Sequence, residues 1–193
     1  VASDFFAGKA TKAIPAMIIT ACMNTNPVMI YFGQEFGEAG MDEEGFSGQD
    51  GRTTIFDWWS IASVKRLRKL IASGEYRTLD PVAVEKAGLK GKEAEIFCRF
   101  ASAIRFAASD KAIQNGTSYD LCYCNLSSDG FDKDRHYIFL RDYKEHTLLI
   151  AVNFSKYHST IFCTTSSSVN PCSIANLLTF SEVFSFSWMY LFI

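Results

Sequence analysis

Several groups of residues in this chain have types and spacings that could do chemistry. Asp42, Glu43, Glu44 and Asp50 gather four carboxylates within nine residues, and calcium takes clustered oxygens as ligands. Their spacing is not that of an EF-hand loop, so a solvated acidic loop is the competing reading. His136, His146 and His158 could suggest zinc. If Lys144-Glu145 is a tight turn, however, Tyr143 pairs with His146 and His136 lies near Asn153, which keeps the first two histidines too far apart for one metal. The six cysteines, Cys22, Cys98, Cys122, Cys124, Cys163 and Cys172, contain no CxxC pair. Cys122 and Cys124 would share one face of a strand without bridging each other. The set reads as buried, reduced thiols rather than a disulfide framework. Asn-x-Ser/Thr triplets begin at Asn115, Asn125 and Asn153, and they matter only in a secretory context. Lys65, Arg66, Arg68 and Lys69 make one short basic face, which is too limited for a nucleic-acid footprint.

These residues need elements to hold them. Ile14, Met17, Ile18 and Ala21 recur at helical spacing and predict a helix over 9–23. Pro15 fits it only in the first turn or at a kink, and Asn24-Thr25-Asn26-Pro27 stops it. Val28-Met29-Ile30-Tyr31-Phe32 is a continuous apolar run, which predicts a strand buried on both faces. Residues 33–57 follow as a long loop rich in glycine and acid, a kind that is usually functional. Ile61, Val64, Leu67 and Ile71 predict the inner face of the next helix, which Gly74 ends. A second amphipathic helix is expected over 92–109, with Ile96, Phe97, Phe100 and Ile104 inward. Asn115-Gly116 marks a turn. The period then changes to two, and Tyr119–Cys124, Tyr137–Tyr143 and Thr147–Phe154 are predicted strands. The layout is α/β followed by antiparallel β.

Composition describes an ordinary globular protein, with 48% hydrophobic residues, 21% charged residues and a net charge of -2. It excludes a collagen, a charged disordered chain and a basic nucleic-acid binder. The average hides a seam. Of 19 basic and 21 acidic residues, only Lys156 and Glu182 lie after Ser155, and all 12 glycines precede it. The tail carries serine and phenylalanine instead. No basic n-region or cleavage site follows Val1. Residues 174–193 are apolar and long enough to span a bilayer, but Asn176, Glu182 and several hydroxyl residues stand against a membrane anchor.

One resemblance joins these pieces. Pro27-Val28-Met29-Ile30-Tyr31-Phe32-Gly33-Gln34-Glu35 resembles the last barrel strand of the alpha-amylase family of glycoside hydrolases. Gly51-Arg52-Thr53-Thr54-Ile55-Phe56-Asp57-Trp58-Trp59 is loosely similar to a later stretch of that family, RTPMQW. Ile96–Arg105 resembles its closing helix, and Tyr137–Tyr143 with Thr147–Ser155 resemble the opening of its C-terminal β-sandwich. The four pieces stand in the family's order, and Gly40–Gly48 looks most like bacterial members. The resemblance implies an α/β fold: the last part of a (β/α)8 barrel over 1–113, then an incomplete antiparallel β-sandwich over 114–155. Residues 156–193 match nothing in the family and form an apolar tail, either foreign to the family or a lineage-specific extension. In such a barrel the loop after a strand builds the substrate rim.

The resemblance also implies chemistry. Family members are retaining glycosidases that use a carboxylate nucleophile and a carboxylic acid proton donor, with a third acid in a His-Asp pair after the seventh strand. All three precede the seventh helix, so none is expected here, and this piece alone is expected to be inert. The residues left to contact an α-glucan or malto-oligosaccharide are Gln34, Glu35, Arg52 and Trp58. Gln34 and Glu35 would face the pocket or brace the barrel mouth. Arg52 would position a sugar hydroxyl or pair with Asp50 or Asp57. Trp58, with Phe56 and Trp59, would stack on sugar rings or pack at a helix start. The resemblance leaves calcium open for the parent enzyme, although no residue set in this chain supports a site. Two rival readings stand beside hydrolysis: a transglycosylating relative, and a non-enzymatic amylase-like scaffold.

Overall fold

A computed structural model describes residues 9–38 and 62–155 in full, and the backbone of 162–163, 178–179 and 188–192. The chain divides into two units, Val1–Met17 with Pro27–Phe106, and Ile18–Asn26 with Ala107–Ile193. Helix α1 (Ile14–Cys22) follows a 3-10 turn over Ala10–Ala13. Pro15 sits in its first turn, where a missing N–H costs nothing. After it, the Asn24 side chain accepts from the Asn26 amide at 2.8 Å, a local turn that competes with further helix.

In the first unit, helices α2 (Ala62–Ser73), α3 (Pro81–Ala87) and α4 (Lys92–Ser109) follow one another. Leu70, Val84, Leu89, Ala94 and Cys98 form the buried cluster that joins them, with Leu67, Tyr76, Ala87 and Phe97 packed around it. This cluster corrects the predicted face of α2. Ser63, Val64 and Leu70 are buried, whereas Ile71 is 55% exposed. Leu70 is drawn into the cluster, and the neighbouring position on a helix must then turn outward. Ile61 lies outside the described residues. On α4, Ile96 and Phe100 are buried as expected, while Phe97 and Ile104 are half-buried.

Helix α3 was not visible as apolar periodicity. Its signal is a cap: Asp80 accepts from the Val82 amide at 3.1 Å, and Pro81 opens the first turn. Arg66 on α2 holds Glu93 at the start of α4 through two guanidinium nitrogens, Nε at 2.9 Å and Nη2. Burial opposes ionisation of Glu93, but the Arg66 bond and the Lys90 amide outweigh it and hold the carboxyl below its ordinary range.

The predicted strand at Val28–Phe32 is not a strand. Its backbone is irregular and its side chains are largely exposed, Met29 at 86%. A strand of the doubly buried kind exists only between ladder partners, and no strand among the described residues pairs with it.

The second unit is built on an antiparallel sheet. Helix α5 (Lys111–Asn115) leads into β1 (Thr117–Asp120). The one-turn helix α6 (Cys122–Asn125) then precedes β2 (His136–Tyr143) and β3 (His146–Asn153). The β2–β3 hairpin stands where the two-residue period put it, with Tyr143 opposite His146 and His136 opposite Asn153. Leu121, Ile138, Leu140 and Leu149 pack on one face of the sheet. On the other face Arg141, 1% exposed, donates to the carbonyls of Met23, Ala112 and Ile113.

The predicted strand Tyr119–Cys124 stops at Asp120. The Asp120 carboxylate accepts from the Cys122 amide at 2.7 Å, which bends the chain into α6. Cys122 and Cys124 therefore lie on a helical turn and do not share a strand face. The tail also departs from expectation. Within residues 156–193, read from the sequence only as an apolar tail, short β4 (Phe162–Cys163) pairs with β5 (Leu178–Thr179). In addition, β6 (Trp188–Phe192) pairs antiparallel with β3. The larger sheet has the order β1-β2-β3-β6.

Candidate functional site

Two of the four site residues from the sequence, Gln34 and Glu35, come together in one tight turn. Gly33 (φ 85°) and Gly37 (φ 73°) bracket a 3-10 turn over Gln34–Phe36. Both glycines use the left-handed region, which a side chain would strain. Gly37 has a second reason to be glycine: a Cβ there would lie 2.7 Å from Ile96 Cδ1 and 3.1 Å from Ala10 Cβ. Phe36 is 1% exposed and anchors the turn in the first unit's core.

The two polar side chains behave differently. Gln34 Oε1 accepts from the Tyr31 amide at 3.2 Å, while its own amide donates to the Tyr31 carbonyl at 3.0 Å. That is a local brace. Glu35 is not braced in the same way. Its Oε2 is buried and, among the described residues, has no hydrogen-bond partner. Burial pushes the Glu35 carboxyl above its ordinary range, opposed by the backbone N–H groups of Glu35 and Gly33. Three residues on, Glu38 accepts a hydrogen bond from the hydroxyl of buried Ser63 on α2, which ties the end of the turn to that helix.

The turn therefore holds one buried carboxylate oxygen without a donor among the described residues, at the edge of the 33–57 loop. A buried oxygen of this kind takes either a proton or a donor from an incoming ligand. Arg52 and Trp58, the other two site residues, lie outside the described residues. So do Phe56, Trp59, Asp57 and the acidic group Asp42, Glu43, Glu44 and Asp50. Among the described residues, no three His, Cys, Asp or Glu side chains are grouped to hold a metal. No described helix is long and apolar enough to cross a membrane.

The remaining candidates are accounted for locally. His136 is buried, and its Nδ1 accepts from the Asp132 amide at 2.9 Å. Burial lowers its pKa, with the Asp132 charge working against that. Cys22, Cys98, Cys122 and Cys124 are free thiols. Burial pushes Cys22 up to about 12 and Cys122 up to about 11, which removes both as nucleophiles near neutral pH. Of the three Asn triplets, Asn125 is fully buried, and its amide donates to the Leu121 carbonyl at 2.7 Å. Asn115 is exposed at the end of α5.

Sequence reasoning missed Arg141. The residue was passed over as one member of a strand with alternating pattern. The signal was there: an arginine at an inward position of a strand must find carbonyl or carboxylate partners. Comparison of the chain with family models, with curated proteins and with solved structures finds no match.

Proposed function

We propose that these residues belong to a retaining glycosidase of the alpha-amylase type, acting on α-1,4-glucan, and that they supply part of its substrate rim rather than its catalytic acids. The reading rests on four sequence stretches that resemble that family in its own order, from Pro27–Glu35 to Thr147–Ser155.

One structural observation carries it further: the Glu35 Oε2 atom is buried with no partner among the described residues, at the end of the first of those stretches. Sugar hydroxyls are donors of the right kind for such an oxygen, and a buried acceptor gains most from a ligand that satisfies it. Gln34 serves as the brace that fixes the turn from which Glu35 projects. Arg52 and Trp58 would complete the rim, by polar contact and by ring stacking. The matched stretches hold none of the family's three acids, so hydrolysis is assigned to the longer protein.

The test is to express the chain together with the coding sequence upstream of Val1 and assay it on soluble starch. Release of malto-oligosaccharides with retained α configuration supports the reading. A folded, extended protein that leaves starch intact overturns it. The 193-residue chain alone is expected to release no reducing ends.

A further inference from the structure

The second unit has an open surface concavity of about 570 Å3 between α5 and the β2–β3 turn, lined by Lys111, Asn115, Tyr143, Lys144, Glu145 and His146 among others. Lys111 opens α5 and Lys144 sits in the hairpin turn, so two elements distant in sequence bring a lysine each to the lining of one concavity. Neither lysine is ion-paired with a carboxylate among the described residues. The acid bonded to His146, Asp110, is already occupied. Asp110 accepts from the Ala112 and Ile113 amides at 2.8 and 3.1 Å and lies 2.9 Å from His146 Nε2. Among the described residues, Glu145 is the one acid that lines the concavity.

The position of Lys144 is itself unusual. Its φ is 57°, in the left-handed region where glycine or asparagine is the ordinary choice in a two-residue hairpin turn. A lysine there carries a backbone cost that asparagine would avoid, and it sets the ammonium 5.1 Å from the centre of the Tyr143 ring. Local rules are broken in this way most often where a side chain is needed.

We propose that this concavity binds a small molecule through a phosphate group, held by Lys111 and Lys144 with His146 alongside. The lining favours phosphate over its competitors for three reasons. Ammonium groups with no carboxylate partner among the described residues act as point charges, which suits a multiply charged tetrahedral anion; among the described residues no arginine lines the concavity to favour a planar carboxylate. A neutral sugar needs an open aromatic face, and Lys144 stands over the Tyr143 ring. A nucleic acid needs a stripe of positive charge, whereas these groups are confined to one pocket on a chain of net charge -2. The site is independent of the glycosidase reading.

The experiment is a titration of the full chain with inorganic phosphate, followed by amide NMR, at constant ionic strength set with sodium chloride. Saturable shifts at Lys111 and Tyr143–His146 are expected. Lys144→Asn relieves the backbone and keeps the fold, yet should weaken binding about two- to fivefold, as should Lys111→Gln. Glu145→Gln should tighten binding. Lys65→Gln, which removes the same charge on α2, should leave it unchanged. The proposal is overturned if the shifts do not saturate, if Lys144→Asn and Lys111→Gln bind as the parent does, if Lys65→Gln weakens binding equally, or if acetate binds as tightly as phosphate.

Discussion

The Nη1 atom of Arg141 lies 2.9 Å from the carbonyl oxygen of Met23, a residue 118 positions earlier. The same guanidinium donates to Ala112 at 3.2 Å and Ile113 at 2.6 Å. Met23 lies just past the end of α1, and Ala112 and Ile113 lie in the one-turn α5, where most carbonyls have no intrahelical donor; one side chain thus serves carbonyls from two segments of the second unit, with Ala112 also accepting from the Gly116 amide. Burial lowers the Arg141 pKa, opposed by the Asp110 charge and, once it ionises, by the Cys22 thiolate. The group stays charged because an arginine in protein does not lose its proton near neutrality.

The first prediction follows from that geometry. Arg141→Ala removes the donor to the Met23 and Ile113 carbonyls, leaves Ala112 with the Gly116 N–H alone, and should cost about 3 kcal/mol in urea unfolding. Arg141→Lys should recover less than half of this, because one ammonium cannot reproduce a planar fork. Full recovery by lysine would show that charge, not the three directed bonds, is what matters.

Cys22 gives a pH prediction. Burial holds its thiol protonated up to about 12, with Arg141 pulling the other way and Asp110 adding to the rise. In the unfolded chain a thiol ionises near about 8.5. The folded pKa is the higher one, so the contribution is fully present below the unfolded value and is lost as pH climbs towards the folded one. Urea midpoints should therefore fall with pH above about 8.5, and Cys22→Ala should flatten part of that slope. In the native protein at neutral pH, Cys22 should resist alkylation that proceeds readily after unfolding. Cys122, raised to about 11 by burial, contributes in the same sense and accounts for part of the slope that remains.

Two glycines separate backbone cost from steric cost. Gly74 has φ 79° with nothing within 4 Å of a built Cβ, while Gly37 has φ 73° and would clash with Ile96 Cδ1 at 2.7 Å. Gly74→Ala should cost about 1 kcal/mol for the left-handed backbone alone. Gly37→Ala should cost about 2–4 kcal/mol, the excess being overpacking. Ile96→Val removes the clashing carbon, so the double variant should be less destabilised than the sum of the singles. Strict additivity would place the cost elsewhere.

The hairpin was legible because alternation and a two-residue turn fix register directly: Tyr143 opposite His146 settles every other pair in β2 and β3. Helix α4 was legible for the analogous reason, a long helical period. The short elements were not. Helix α3 depends on the Asp80 cap, and α5 depends on Asp110 accepting two amides. Caps of this sort look like loop residues until the helix is seen. The run Val28–Phe32 misled because apolar content implies burial only when neighbours are present to supply it. At the candidate site, sequence placed Gln34 and Glu35 side by side but could not tell the braced side chain from the unsatisfied one. That difference is set by which oxygen meets the Tyr31 amide.

Glu35 supplies the last prediction, and it separates a ligand-facing acid from a structural one. Burial raises its pKa, and the backbone N–H groups of Glu35 and Gly33 only partly oppose it. The folded value lies above the unfolded one, near about 4.3. Stability from this group is therefore present at low pH and declines as pH rises through the folded pKa. Glu35→Gln removes the ionisation and keeps the shape. It should leave stability at acid pH little changed, raise it at neutral pH, and flatten the profile between. A residue whose charge braces the fold would show the reverse, a loss at neutral pH on neutralisation.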